Sequence, residues 1–289
     1  LPTYNRKYFF LLALKVAVFI LLAGAVYQQI FKERDIDQLF AQISDTLAKS
    51  NIFYLILVVL LMPLNLFLES FKWKMLMKEV EPISINKSIK AILAGVTFTM
   101  FTPNRIGEYG GRFLFLKKPW NPNVWLATFS GSYAQIIATL VFGIIGAYYL
   151  LDLLLELSGK DMLFVSLLNV LSALTLFIVF VYFNSGWLIR LMNKRLFKFI
   201  FKKHRQVDLE FSFLTLLKSL IFSMLRYTVY AAQYYILLKF FLIPLGFIEG
   251  LQFVALIFLA QTLIPSIAIL ELGIRSNIAL FLLTNHVGM

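Results

Sequence analysis

Arg105, Glu108 and Arg112 stand three and four residues apart in the stretch Thr102-Pro103-Asn104-Arg105-Ile106-Gly107-Glu108-Tyr109-Gly110-Gly111-Arg112. On a helix that spacing puts all three on one face, where Glu108 can pair with either arginine. Two guanidiniums around one carboxylate leave an excess of positive charge, and a guanidinium grips phosphate bidentately. The chemistry is anion binding or, in structural terms, a salt-bridge cluster that only orients the segment. Tyr109 either caps such a pocket or sits in an aromatic belt at the membrane surface. A second stretch, Ile264-Pro265 through Glu271-Leu272-Gly273-Ile274-Arg275, has a similar character. Glu271 and Arg275 either brace a turn by pairing with each other, or Glu271 meets Arg105 or Arg112 across the molecule to make one shared site. Arg226 lies far inside the apolar run Phe211 to Ile243, where it needs a partner or a path along which to snorkel. Lys218 and Lys15 read as snorkelling residues.

The elements that position these groups are membrane helices. The chain is 60% hydrophobic with 30 Phe, and its mean hydropathy of +0.82 lies outside the range of soluble domains. About 20 helical residues cross the roughly 30 Å of hydrocarbon, and runs of that order occur at Tyr8 to Ile30, Ile52 to Phe71, Val124 to Leu151, Met162 to Phe183 and Phe211 to Ile243. Continuous runs argue for helices over a β-barrel. The first run is too long for a signal peptide and has no small-residue cleavage site, so it reads as a retained helix. Cysteine is absent, which excludes disulfides and thiolate chemistry. His204 and His286 are far apart and form no metal-ligand pattern. Gly-rich phosphate loops and Ser-His-Asp constellations are also missing. No cofactor or metal is expected.

Charge sets the orientation. Arg6 and Lys7 precede the first run, Phe71 to Lys90 carries Lys72, Lys74, Lys78, Lys87 and Lys90 against two acids, and Trp187 to Glu210 carries seven Lys or Arg against two acids. These stretches are expected in the cytoplasm, with the N-terminus. The connections Phe31 to Asn51 and Leu151 to Asp161 are acid-rich and are expected outside. A full crossing by Ile89 to Phe101 would export Arg105, Arg112, Lys117 and Lys118, and its 13 residues are too few to span. The segment is therefore read as a re-entrant hairpin that breaks at Pro103, turns through Gly107 to Gly111 and returns near Lys117. Gln252 to Leu263, broken at Pro265, reads as a second one. The expected fold is an all-α, polytopic integral membrane helical bundle with two re-entrant, proline-broken hairpins near 89–118 and 251–283. It forms a single transmembrane domain over 1–289, with an N-terminal half 1–151, a C-terminal half 162–289 and a basic cytoplasmic loop at 184–211. Broken segments in corresponding places of two halves point to a transporter site.

Gln135, Gln233 and Gln261 read as helix-to-helix hydrogen-bonding residues. Arg190, Lys194, Lys198, Lys202 and Arg205 fall mostly on one side of a helix, which fits ordinary positive-inside topology and, alternatively, recruitment of anionic headgroups. Ile36, Leu39, Phe40, Ile43 and Leu47 follow the spacing of an interfacial helix. Nucleic acid is not an expected partner, since no soluble module presents the basic stretches.

The pattern Thr-Pro-x-Arg-x-Gly-Glu followed by Arg112 and Leu114, with the later Ile-Pro-Ser-x(5)-Glu-Leu-Gly-x-Arg, resembles the lysylphosphatidylglycerol synthase transmembrane region, also called the flippase-like domain family. The resemblance runs from the first helix to Leu283. Where that family carries a Pro-Gly-Gly-Leu-Gly-like run, this chain has Ser266-Ile267-Ala268-Ile269-Leu270. The resemblance implies a multi-pass protein of a bacterial or archaeal inner membrane that handles lipid. Some relatives flip aminoacylated phosphatidylglycerol, and others accompany glycolipid, hopanoid or polyprenyl-linked synthesis. The aminoacyl-tRNA-dependent domain of bifunctional relatives is not in these residues, so synthesis of lysyl-lipid is not expected.

The function expected is a lipid translocase. It would bind the head of an anionic phospholipid or polyprenyl-phosphate-linked lipid with Arg105 and Arg112, while Glu108 and Glu271 hold the empty site near neutral and Tyr109, Arg275 and Arg226 complete the binding residues. The alternatives are a membrane-embedded transferase with Glu108 as base and an accessory scaffold in glycolipid or lipid synthesis. The single carboxylate argues against metal-assisted phosphate chemistry, so a transporter is favoured over an enzyme. The partners expected are an anionic membrane lipid and, beside it, a second copy of the chain or a lipid-biosynthetic enzyme.

Overall fold

The structure is a computed structural model and describes residues 44–45, 47–99, 102, 106–158, 161–186 and 209–263. In order, its helices are α1 (Phe53–Met77), α2 (Ile85–Thr99), α3 (Gly107–Phe113), α4 (Pro122–Tyr149), α5 (Leu151–Ser158), α6 (Asp161–Phe183), α7 (Phe213–Phe240) and α8 (Phe247–Leu263). The described residues contain no strand. The fold is an all-α bundle of the polytopic membrane type. Among the described residues, α1, α4 and Met162–Phe183 of α6 are long and apolar enough to cross a bilayer. At 1.5 Å per residue they reach about 37, 42 and 33 Å. Helix α7 has 28 residues but carries Lys218, Arg226 and Lys239.

Helix α1 is turned inside out relative to a soluble helix. Ile56, Val59, Leu60, Met62 and Phe67 are exposed, while Asn65, Glu69, Ser70 and Lys72 are buried. Asn65, Glu69, Lys72 and Leu76 follow at steps of four, three and four, which is one helical stripe. That stripe faces α4 and α7. Gln233 of α7 donates to the Val58 carbonyl at 2.9 Å, so a polar side chain binds two apolar helices together. Helix α7 starts at the Ser212 cap, whose hydroxyl accepts from the Thr215 N–H. It ends with Leu242 at φ 60°, a conformation that lets the Ile243 N–H reach back to the Leu238 carbonyl.

Helices α2 and α3 form a tight antiparallel hairpin. Its closeness depends on glycine: a Cβ on Gly111 would fall 2.6 Å from the backbone of Ala94 and Gly95, and one on Gly107 would collide with the Phe98 carbonyl. Thr102 closes the far end, accepting from the Gly107 N–H at 2.7 Å and donating to the Phe98 carbonyl at 3.2 Å. At the near end Glu81, just before α2, accepts from the N–H groups of Lys117 and Lys118, just after α3. The Lys87 ammonium adds an ion pair at 3.3 Å. Burial pushes the Glu81 carboxyl up, but these donors outweigh it and hold it below the usual carboxylate range. The two feet of the hairpin therefore meet at one level, and α2 rises only about 22 Å from it. The Ser88 hydroxyl donates to the Ser70 carbonyl at 2.6 Å and ties α2 to α1.

Helix α4 is the axis of the bundle. Its small residues Gly131, Ala134, Ala138, Gly143, Gly146 and Ala147 are buried, which lets neighbours approach closely. Antiparallel α8 uses this: a Cβ on Gly143 would strike Leu259 at 2.6 Å. Helix α6 is joined to α4 by Tyr148 donating to Asn169 at 2.7 Å and to α7 by Tyr182 donating to the Leu216 carbonyl at 3.1 Å.

Three expectations are adjusted here. Lys72, assigned from sequence to a cytoplasmic stretch, is inside the bundle at 1% exposure, because α1 continues six residues beyond the expected end at Phe71. The connection from Leu151 is itself helical as α5. The hairpin's first arm begins at Ile85, ahead of Ile89. The first run, the interfacial stretch up to Ile43, the basic segment 190–205 and the turn at Pro103 lie outside the described residues, as does everything after Leu263.

Candidate functional site

One carboxylate organises the interior. Glu69 of α1, its side chain 3% exposed, is met by three cations from three helices: Lys72 of α1 at 2.8 Å, Arg112 of α3 at 2.8 Å and Arg226 of α7 at 3.0 Å. Glu69 lies about 12 Å along the axis from the end of α1, and Arg226 about 20 Å from the start of α7. Ions at such depth persist only when partnered.

The cations differ in how completely they are satisfied. The Lys72 ammonium has three N–H bonds and three acceptors: Glu69 Oε2, the Gly131 carbonyl at 3.0 Å and Ser223 Oγ at 3.1 Å. It joins α1, α4 and α7 and has no donor left for a ligand. Arg226 is nearly as well held, with Nε on Asn65 Oδ1 at 2.9 Å, Nη1 on Glu69 Oε2 and Gln135 Oε1, and Nη2 on the Tyr230 hydroxyl at 3.4 Å. Its guanidinium also lies 5.3 Å from the Tyr230 ring centroid, a cation–π contact.

Arg112 is the exception. At 1% exposure it directs a single nitrogen, Nη2, at both Glu69 and Glu108. Its Nε and Nη1 have no hydrogen-bond partner among the described residues. The Trp73 ring supports the guanidinium at 5.9 Å and is itself fixed by donating to Thr128 at 3.2 Å. Glu108, with its side chain 21% exposed, is the open edge of the network. Three cations and two carboxylates leave this cluster with one formal positive charge in excess.

Of the residues expected at a site, Arg112, Glu108 and Arg226 come together as one network. Tyr109 is half-buried and packs its ring 4.8 Å from that of Phe129 on α4, bracing α3 against α4. Gln135 enters the network through Arg226. Lys218 is exposed. Arg105, Glu271 and Arg275 lie outside the described residues. Sequence reasoning passed over Glu69, Asn65 and Lys72. The available signal was their shared helical stripe, with an acid placed inside an apolar run.

A buried ion network of net positive charge thus sits inside a bundle with helices long and apolar enough to cross a membrane. The chain matches the family described as Lysylphosphatidylglycerol synthase TM region over residues 10–288.

The chain belongs to this family.

Membership gives it a membrane-lipid-related role and confirms the resemblance carried by Thr102 to Arg112. No curated protein and no solved structure matches it. Among the described residues, no group of His, Asp and Glu is arranged to hold a metal ion.

Proposed function

We propose that the protein is a lipid translocase in which the Glu69 network receives the phosphate of an anionic membrane lipid while the tails stay in the bilayer. The observation that carries this reading is Arg112: a guanidinium inside the bundle, with two nitrogens lacking a partner among the described residues, in a network one positive charge in excess. A cation present only to brace helices would be saturated, as Lys72 is. Arg105, Glu271 and Arg275 are taken to complete the site from the hairpin turn and the C-terminal segment. The chain is placed in the cell inner membrane with its N-terminus in the cytoplasm. The α2–α3 hairpin is read as re-entrant from that side, because α2 is short and both hairpin feet meet beside Lys117 and Lys118.

Reconstitution into vesicles containing a fluorescent phosphatidylglycerol, with a membrane-impermeant quencher outside, tests the reading. The wild-type chain should expose inner-leaflet label to the quencher. Arg112→Lys keeps the charge but loses the bidentate grip, and should slow exposure about tenfold, as expected for losing a charge-assisted contact. Wild-type rates in both Arg112→Lys and Arg112→Ala would leave a scaffold role. Formation of a new lipid without a second protein would favour a transferase.

A further inference from the structure

We infer that Glu108 is a displaceable stand-in for the substrate's phosphate, so that loading the site is an exchange of one anion for another on Arg112. The inference rests on the translocase reading and concerns how its site distinguishes ligands. Glu69 and Glu108 both bind Arg112 through Nη2, but they are not equivalent. Glu69 is 3% exposed and shared among three cations. Glu108 is 21% exposed and makes one ion pair among the described residues. It sits on a helix of seven residues, at the edge of the network. Removing Glu69 strips three cations of a partner, whereas removing Glu108 strips one.

The shape of the guanidinium identifies what could replace it. Nη2 shares one edge of the planar group with Nε and the other with Nη1. Both of those neighbours lack partners among the described residues, so whichever edge Glu108 vacates has an unused donor beside it. Glu108 engages that edge at one point only. An anion with two unesterified oxygens on one phosphorus can take both donors and form the parallel pair of bonds that makes Arg–phosphate contacts strong. The exchange also suits the charge: with Glu108 turned outward, Arg112, Arg226 and Lys72 face Glu69 alone, and an incoming phosphate restores the balance. The ligand class is a phosphate that keeps at least two unesterified oxygens on one phosphorus. It comes either from a lipid headgroup or from free phosphate, and the two sources differ in whether hydrocarbon is attached.

The test is equilibrium binding to the full chain in phospholipid-free maltoside micelles, with short-chain phosphatidylglycerol as one probe and inorganic phosphate as the other. Thermal unfolding is recorded for each variant. Glu108→Gln removes the competing anion, so it should bind phosphatidylglycerol about tenfold more tightly than wild type, equivalent to one charge-assisted contact. Glu108→Asp, which draws the carboxylate back from Nη2, should shift affinity in the same direction. Arg112→Lys should weaken binding. Tighter binding of phosphatidylglycerol alone assigns the site to lipid, and an equal gain for inorganic phosphate assigns it to free phosphate. Both outcomes support exchange. Unchanged or weaker binding by both Glu108 variants, with the wild type still binding and Arg112→Lys impaired, overturns the exchange and leaves the translocase reading intact. Failure of wild type and variants alike to bind either probe defeats both.

Discussion

Replacing Glu69 with Gln keeps the side chain's shape and removes its charge, which leaves Lys72, Arg112 and Arg226 around a neutral amide. Removing one partner of a buried pair costs about 3–5 kcal/mol, because the remaining charge is left uncompensated. Here each cation keeps something: Lys72 retains Gly131 and Ser223, Arg112 retains Glu108, and Arg226 retains Asn65 and Gln135. The loss should therefore be that of one such pair, about 3–5 kcal/mol, and not three times as much. For a chain of this size that corresponds to a fall in Tm of roughly 6–10 °C. The assay is thermal unfolding of purified protein in micelles, followed by tryptophan fluorescence. Adding Lys72→Met to Glu69→Gln removes one of the stranded cations. A double-mutant cycle should then show coupling, with the double variant less destabilised than the sum of the single ones. A Tm for Glu69→Gln within about 1 °C of wild type, or strict additivity in the cycle, would refute the claim that this carboxylate holds the interior together.

Two further outcomes follow from the hairpin. Gly111→Val places branched carbon where a Cβ would already lie 2.6 Å from Ala94 and Gly95. It should separate α2 from α3 at a cost of about 1–3 kcal/mol, seen as lower Tm and faster proteolysis near residue 114, while Gly110→Ala, which meets nothing within 4 Å, should be tolerated. Glu81 has its folded carboxyl held low by Lys117, Lys118 and Lys87 against the opposing effect of burial. Its stabilising contribution is complete above the ordinary carboxylate range and is lost as pH falls through the lowered folded value. Glu81→Gln should therefore lower Tm at pH 7 and narrow its gap to wild type on acidification, and an unchanged gap across that window would contradict the clamp.

Much of the scaffold was legible because length and continuous hydrophobicity determine membrane helices almost by themselves. Asp161–Phe183 and Phe213–Phe240 match the runs expected within three residues at each end, and the arm before Pro103 is short in the structure as in the sequence, at 15 residues. The interior was harder to read. Arg112 and Glu108 declared themselves by their i, i+4 spacing next to helix breakers, and Arg226 by isolation in an apolar run. Glu69 and Lys72 were hidden because they fall where a helix end was expected, and charge near a helix end reads as topology. Their role depends on α3, α4 and α7 converging on one stripe of α1, a tertiary fact that one-dimensional spacing does not carry. The stripe itself, Asn65 with Glu69 and Lys72, was visible to anyone asking which face of α1 lipid could tolerate.

An experimental density map of the protein in nanodiscs rich in phosphatidylglycerol addresses the central claim most directly. The account predicts a lipid phosphate within hydrogen-bonding distance of Arg112 Nε or Nη1, with Glu108 moved off Nη2 and Glu69 still joined to Lys72 and Arg226. A map in which Glu108 keeps its place, and hydrocarbon packs against the unpartnered nitrogens of Arg112, would contradict it.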